Sequence, residues 1–260
     1  MRNDIVYVHL DKVSHLTLTY GIGIRDFIGG IPHLPENVLS LAPVDPNQEI
    51  DIYSGFNMYI GVENVKAFLL DRTLKNLRWI DFDNSFDLES LTPQEVSEML
   101  YLGHAFTHLK SPFYYKLQNN FVYLTLPNGA NKVYYRFLPN FYHVMIQALT
   151  DHLGRAYREK RTFLRLRYHI QEIPAALAKQ LLPLLISGAV FDFGNLKLQG
   201  PELTVPILAA PDSVYQLKWH EPTMMIEKSN LVGRLKYQMN TGTWDLIVLS
   251  PEAFEDNLNF

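Results

Sequence analysis

Apolar and polar residues alternate over 4–10 and again over 13–20, and this two-residue period predicts two β-strands turning at Asp11-Lys12. A Gly/Pro-rich stretch from Gly21 to Pro46 then reads as loop, and 50–60 as extended chain. Over Val62 to Leu74 the period becomes helical, with Val62, Val65, Phe68 and Leu69 on one face. Leu77 to Asp81 predicts a strand. Thr92-Pro93-Gln94-Glu95 is a capping box with proline at the first helical position, so a helix is expected over 93–108. Phe113–Leu117, Phe121–Leu126 and Lys132–Phe137 read as a three-stranded meander. Its turns are marked by Asn119-Asn120 and Pro127-Asn128-Gly129. Asn140 can cap a helix reaching Tyr157, with Phe141, Val144, Met145, Ala148 and Leu149 on one face.

The remainder follows a similar order. Thr162–Ile170 reads as a strand, Pro174–Ile186 as a helix and Ala189–Phe193 as a strand, with further strands near 214–219, 231–237 and 243–249. One segment echoes another 111 positions on. Ala67/Ala178, Leu70/Leu181, Leu74/Leu185, Asp81/Asp192, Phe82/Phe193 and Asn84/Asn195 are identical. A repeat would make each half strand–helix–strands–helix, an order similar to the two-fold repeat of the TATA-box-binding protein fold. The expected fold is α+β, with mainly antiparallel twisted sheets, helices packed on one side and two pseudo-repeated halves. The expected segments are 1–49, 50–159 and 160–260.

Composition narrows the chemistry. The chain has 260 residues, 47% of them hydrophobic and 19% charged, enough for a sizeable core. It has no cysteine, which excludes disulfides, thiolate metal sites and cysteine nucleophiles. The start, MRNDIVYVHLDKV, lacks the apolar run of a signal peptide, and the apolar stretch Leu181–Phe191 is too short to span a bilayer and contains Pro183. A soluble, cytoplasmic protein without membrane contact is therefore expected. The net charge of −4 is unevenly spread: 1–109 carry 7 basic and 15 acidic residues, 110–179 carry 11 and 3, and 180–260 carry 5 and 9. A basic middle between acidic ends fits pairing between packed segments, or an anion-binding face.

Four patterns carry candidate chemistry. Asp81-Phe82-Asp83-Asn84-Ser85 follows an apolar strand and resembles the first motif of haloacid-dehalogenase-type phosphotransferases. That resemblance implies attack on phosphorus by Asp81, with Asp83 as acid/base beside a divalent metal. It covers five residues, and the antiparallel meanders depart from that family's repeating α/β sheet. The echo has Gly194 in place of Asp83, so Asp81 and Asn84 also read as a strand-end turn. The same stretch places oxygens at alternate positions, as a calcium loop does, but Phe86 stands where such a loop needs glycine.

His104 and His108 have the i, i+4 spacing of metal ligands, and His143, Asp151 or His152 could supply a third. They also suit a helix C-terminus, where the dipole favours imidazolium. On the meander, alternation puts Tyr114 and Lys116 in phase, and likewise Lys132, Tyr134 and Arg136. With Arg158 and Arg161 close behind, this basic-aromatic face could stack bases and neutralise phosphates, or simply be a solvated sheet face. Finally, Gly21-Ile-Gly lacks the third glycine of a phosphate loop and reads as plain loop.

The expectation is a non-enzymatic binding or regulatory protein meeting nucleic acid or an acidic protein through that face, with self-association left open and no cofactor. The alternative is a metal-dependent hydrolase or phosphotransferase using Asp81/Asp83 or His104/His108.

Overall fold

The computed structural model describes residues 4–41, 47, 49–71, 77–104, 115–160, 169–209 and 230–249, with the backbone alone at 100, 102–104 and 115. The described residues form twelve strands and seven α-helices, and every pairing with a defined register is antiparallel. The α+β class is as the sequence predicts. The chain divides into two compact units. One comprises Met1–Leu10, Leu18–Gly30 and Phe141–Phe260, the other Asp11–Thr17 and Ile31–Asn140. These units interleave along the chain, whereas the expected segments are consecutive.

The unit containing Asp11–Thr17 and Ile31–Asn140 is built on β3 (Asn37–Ser40), β4 (Asn57–Ile60), β5 (Arg78–Phe82), β6 (Phe121–Thr125) and β7 (Asn131–Tyr135). Their order is β7-β6-β5-β3-β4. Cross-strand partners share a face, so Leu39, Ile80, Val122 and Tyr134 line one side and Val38, Asp81, Phe121 and Tyr135 the other. The first side is covered by Leu88 of α3 (Ser85–Glu89), Met99 of α4 (Pro93–His104) and Leu117 of a 3-10 turn (Tyr115–Leu117), all fully buried. On the other side Tyr59 stacks on Phe68 of α2 (Val62–Leu70) at 4.2 Å, and Trp79 stacks on Tyr123 at 5.6 Å. Helical segments thus reach both faces here, because the central strands bury apolar side chains on both.

In the other unit β1 (Ile5–Asp11), β8 (Ala189–Asp192), β10 (Glu202–Ala209), β11 (Asn230–Gln238) and β12 (Thr243–Val248) lie in that order, with β9 (Lys197–Gln199) on β10. Leu203, Val205, Ile207, Leu235 and Tyr237 are buried on one face, while Thr204, Pro206, Arg234 and Lys236 are half-exposed on the other. The buried face is tied down by 169–171: the Tyr237 hydroxyl donates to His169 O, and Trp244 Nε1 donates to Gln171 O at 2.9 Å. α6 (Ala175–Gln180) and α7 (Leu182–Ser187) precede β8. β2 (Leu16–Tyr20) follows β1 as a second strand, but Asp11 stays in β1 and the turn lies at 12–15, beyond the expected Asp11-Lys12.

Several elements depart from the expectation. The stretch expected as loop, Gly21–Pro46, contains both β3 (Asn37–Ser40) and α1 (Ile24–Gly30), the start of α1 being held by Asp26 Oδ2 accepting from Gly23 N at 2.7 Å. The closing glycines of α1 serve packing: a Cβ at Gly30 would lie 2.4 Å from Val144 Cα on α5 (Leu138–Lys160). The strand expected at 113–117 is instead the 3-10 turn over its described part. The internal repeat is not shown. β5 pairs with β6, but β11, the counterpart of β6 at that offset, pairs with β10 and β12 and not with β8. The strands expected at 162–170 and 214–219 lie wholly or mostly outside the described residues.

Candidate functional site

The acidic motif sits where β5 ends. Asp81 is 2% exposed and faces the start of β6. Its Oδ1 accepts from the backbone amides of Phe121 at 2.6 Å and Asn120 at 3.0 Å. Its Oδ2 accepts from the Asn120 amide at 2.9 Å and from Asn120 Nδ2 at 3.3 Å. Burial pushes the Asp81 carboxyl up to about 7, and the hydrogen bonds from Asn120 and Phe121 pull it the other way. With both oxygens engaged by N–H donors, the side chain is occupied in joining two strands. Asp83 is exposed, its amide donates to Leu117 O, and its carbonyl accepts from Asn37 Nδ2. Asn84 caps α3 by accepting from Phe86 N at 3.1 Å.

The echoed acid is used differently. Asp192, 3% exposed, folds onto its own turn, accepting from Asn195 N at 3.0 Å and Asn195 Nδ2 at 2.6 Å. A Cβ at Gly194 would stand 3.3 Å from Asp192 Oδ1, so glycine leaves room for that turn.

The histidine pair is only partly in view. His104 closes α4, its side chain is not described, and His108 lies outside the described residues. Of the proposed third ligands, His143 and Asp151 are exposed. His152 is buried: its Nε2 donates to Gly21 O at 2.8 Å, Nδ1 lies 2.7 Å from Asp4 Oδ1, and the ring stacks on Phe193 at 5.3 Å. It is a strut between α5, the β2–α1 turn and the start of β1. Among the described residues no group of three His, Cys, Asp or Glu is placed to hold a metal.

The basic-aromatic set is dispersed. Lys132 and Tyr134 are 4% and 5% exposed. β7 has β6 on one side, and on the other Thr17 Oγ1 donates to Val133 O while Tyr135 N donates to His15 O. Lys132 therefore points into the unit, opposite Leu124, and burial lowers its ammonium pKa to about 8. Lys116, on the 3-10 turn, pairs with Glu95 at 3.1 Å. Arg136 is half-exposed, with Nη1 donating to Gln118 O at 2.9 Å and His15 Nδ1 at 3.1 Å from its own carbonyl. Tyr114 and Arg161 lie outside the described residues.

Exposed positive charge collects instead at the end of α5, where Arg155, Arg158 and Lys160 face solvent. Lys160 Nζ donates to the carbonyls of Gly194 at 2.9 Å and Leu196 at 2.8 Å, which leaves its charge without a carboxylate partner among the described residues. Asp151 and Glu159 are the exposed acids of the same stretch. Arg155 is one of several basic residues following the meander, and nothing in its spacing sets it apart from the buried Lys132. No helix among the described residues is long and apolar enough to cross a membrane. Compared with protein-family models, curated proteins and solved structures, the chain gives no significant match.

Proposed function

We propose that this chain is a non-enzymatic binding or regulatory protein that meets an acidic protein surface at the last turns of α5. The carrying observation is that Arg155 and Arg158, one turn apart and exposed, have no ion pair or hydrogen bond among the described residues. Lys160 adds a third positive charge beside them. Guanidinium groups suit carboxylate partners because their planar fork offers two parallel donors. Base stacking would need exposed rings in line with the cations, and Tyr134 is buried, so an acidic protein is favoured over nucleic acid. The alternative, metal-dependent hydrolysis at Asp81/Asp83, is disfavoured by the four N–H contacts that already occupy Asp81.

The test is fluorescence anisotropy with a labelled poly-glutamate peptide and, separately, a single-stranded oligonucleotide. The peptide should bind, weaken with added salt, and lose about tenfold in affinity in an Arg155→Glu/Arg158→Glu variant. Equal binding by the variant would refute the assignment of the site. Preference for the oligonucleotide with a steep salt slope would replace the partner class.

A further inference from the structure

Three unfavourable features meet in the few residues leading into β6. Gln118 holds φ at 55°, left-handed backbone that a side chain enters only at a cost. Asn119 is 2% exposed, and among the described residues neither its side-chain oxygen nor its nitrogen has a hydrogen-bond partner, although water would satisfy both in an opened chain. Asp81 must lose its hydration to grip the amides of Asn120 and Phe121. The upward displacement of its carboxyl pKa by burial is consistent with that cost. Against these stand the Asp81 contacts themselves, the Arg136 amide donating to Asn120 O at 2.8 Å and the half-exposed Arg136 guanidinium on Gln118. Leu117 and Phe121, at either end, are buried.

We infer that residues 118–120 form a strained strap that opens by itself between Leu117 and Phe121, with the Asp81 side chain as its latch. Opening relieves Gln118, hydrates the Asn119 amide and exposes the Asp81 carboxylate, while giving up few apolar contacts. It is a conformational device of one unit, distinct from any binding at α5, so failure of either idea leaves the other standing. In the closed form Asp81 is a structural clasp; in the open form it is a solvated acid beside a freed amide.

Hydrogen exchange on the full chain, at fixed pH and increasing sub-denaturing urea, reads the strap directly. The Asn120 and Phe121 amides, held by Asp81, are compared with Thr125 and Tyr135, whose amides donate to Leu77 O and His15 O. The strap amides should be protected about 100-fold less and respond little to urea, as a local opening does. Gln118→Gly, which removes the left-handed strain, should slow their exchange about fivefold and leave Thr125 and Tyr135 unchanged. The inference is overturned if all four amides exchange together with one urea dependence, a result that needs no variant, or if Gln118→Gly leaves the strap amides unaltered.

Discussion

Two strand ends with nearly the same sequence, Asp81-Phe82-Asp83-Asn84 and Asp192-Phe193-Gly194-Asn195, use their aspartates at different ranges. Asp81 reaches 39 and 40 residues along the chain to hold the first amides of β6, whereas Asp192 holds an amide three residues away. The neighbouring residue explains part of the difference. Gly194 lets the second turn fold back over its own carboxylate, while Asp83 and Asn84 lead into α3. An identical residue at an identical strand end therefore fixes tertiary structure in one unit and local structure in the other. The shared letters record a strand-end environment rather than shared chemistry.

Removing each carboxylate should separate the two uses. Asp81→Ala leaves the buried amide of Phe121 and the half-buried amide of Asn120 unpartnered and should destabilise by about 3 kcal/mol, at roughly 1–3 kcal/mol per unsatisfied buried group. Asp192→Ala breaks only a turn and should cost about 1 kcal/mol, in the range of a lost local cap. Urea unfolding measures both, and equal losses would dissolve the contrast.

A finer effect lies in the paired asparagines. Asn195 Nδ2 meets Asp192 at 2.6 Å, but Asn120 Nδ2 meets Asp81 at only 3.3 Å, with backbone amides already in place. Asn195→Ala should therefore cost about 1 kcal/mol and Asn120→Ala about half of that, by the usual worth of a single hydrogen bond. The reverse order in thermal unfolding would show that Asn120, and not the β6 backbone, is the main partner of Asp81.

What the sequence disclosed follows the same division between local and distant. The capping box is realised, with Glu95 Oε2 accepting from Thr92 N at 2.7 Å and Thr92 Oγ1 from Glu95 N at 3.3 Å, because all its atoms lie within one turn. The helical period of α2 and α5 and the turn-bounded strands β5 and β6 were legible for the same reason. The short helix α1 was not, since its closing Gly30 makes sense only against Val144, more than a hundred residues away. Nor was the burial of Lys132 legible, because alternation in β7 assigns residues to faces without saying whether something covers each face. The candidate site suffered most: Lys132, Tyr134 and Arg136 share a register, yet only Arg136 reaches solvent.

The reading of Asp81 as a buried clasp is tested by following its side-chain carbon by NMR through a pH titration, with and without magnesium. Its folded pKa of about 7 lies above the ordinary 3.8, so the unfolded chain ionises first. The associated stability is complete below about pH 4 and is lost as pH rises through about 7. With burial outweighing its hydrogen bonds, Asp81 should titrate above the ordinary carboxylate range, and magnesium should leave the curve unmoved. An Asp81 signal that magnesium shifts downward would show a carboxylate open to a cation, against the closed clasp.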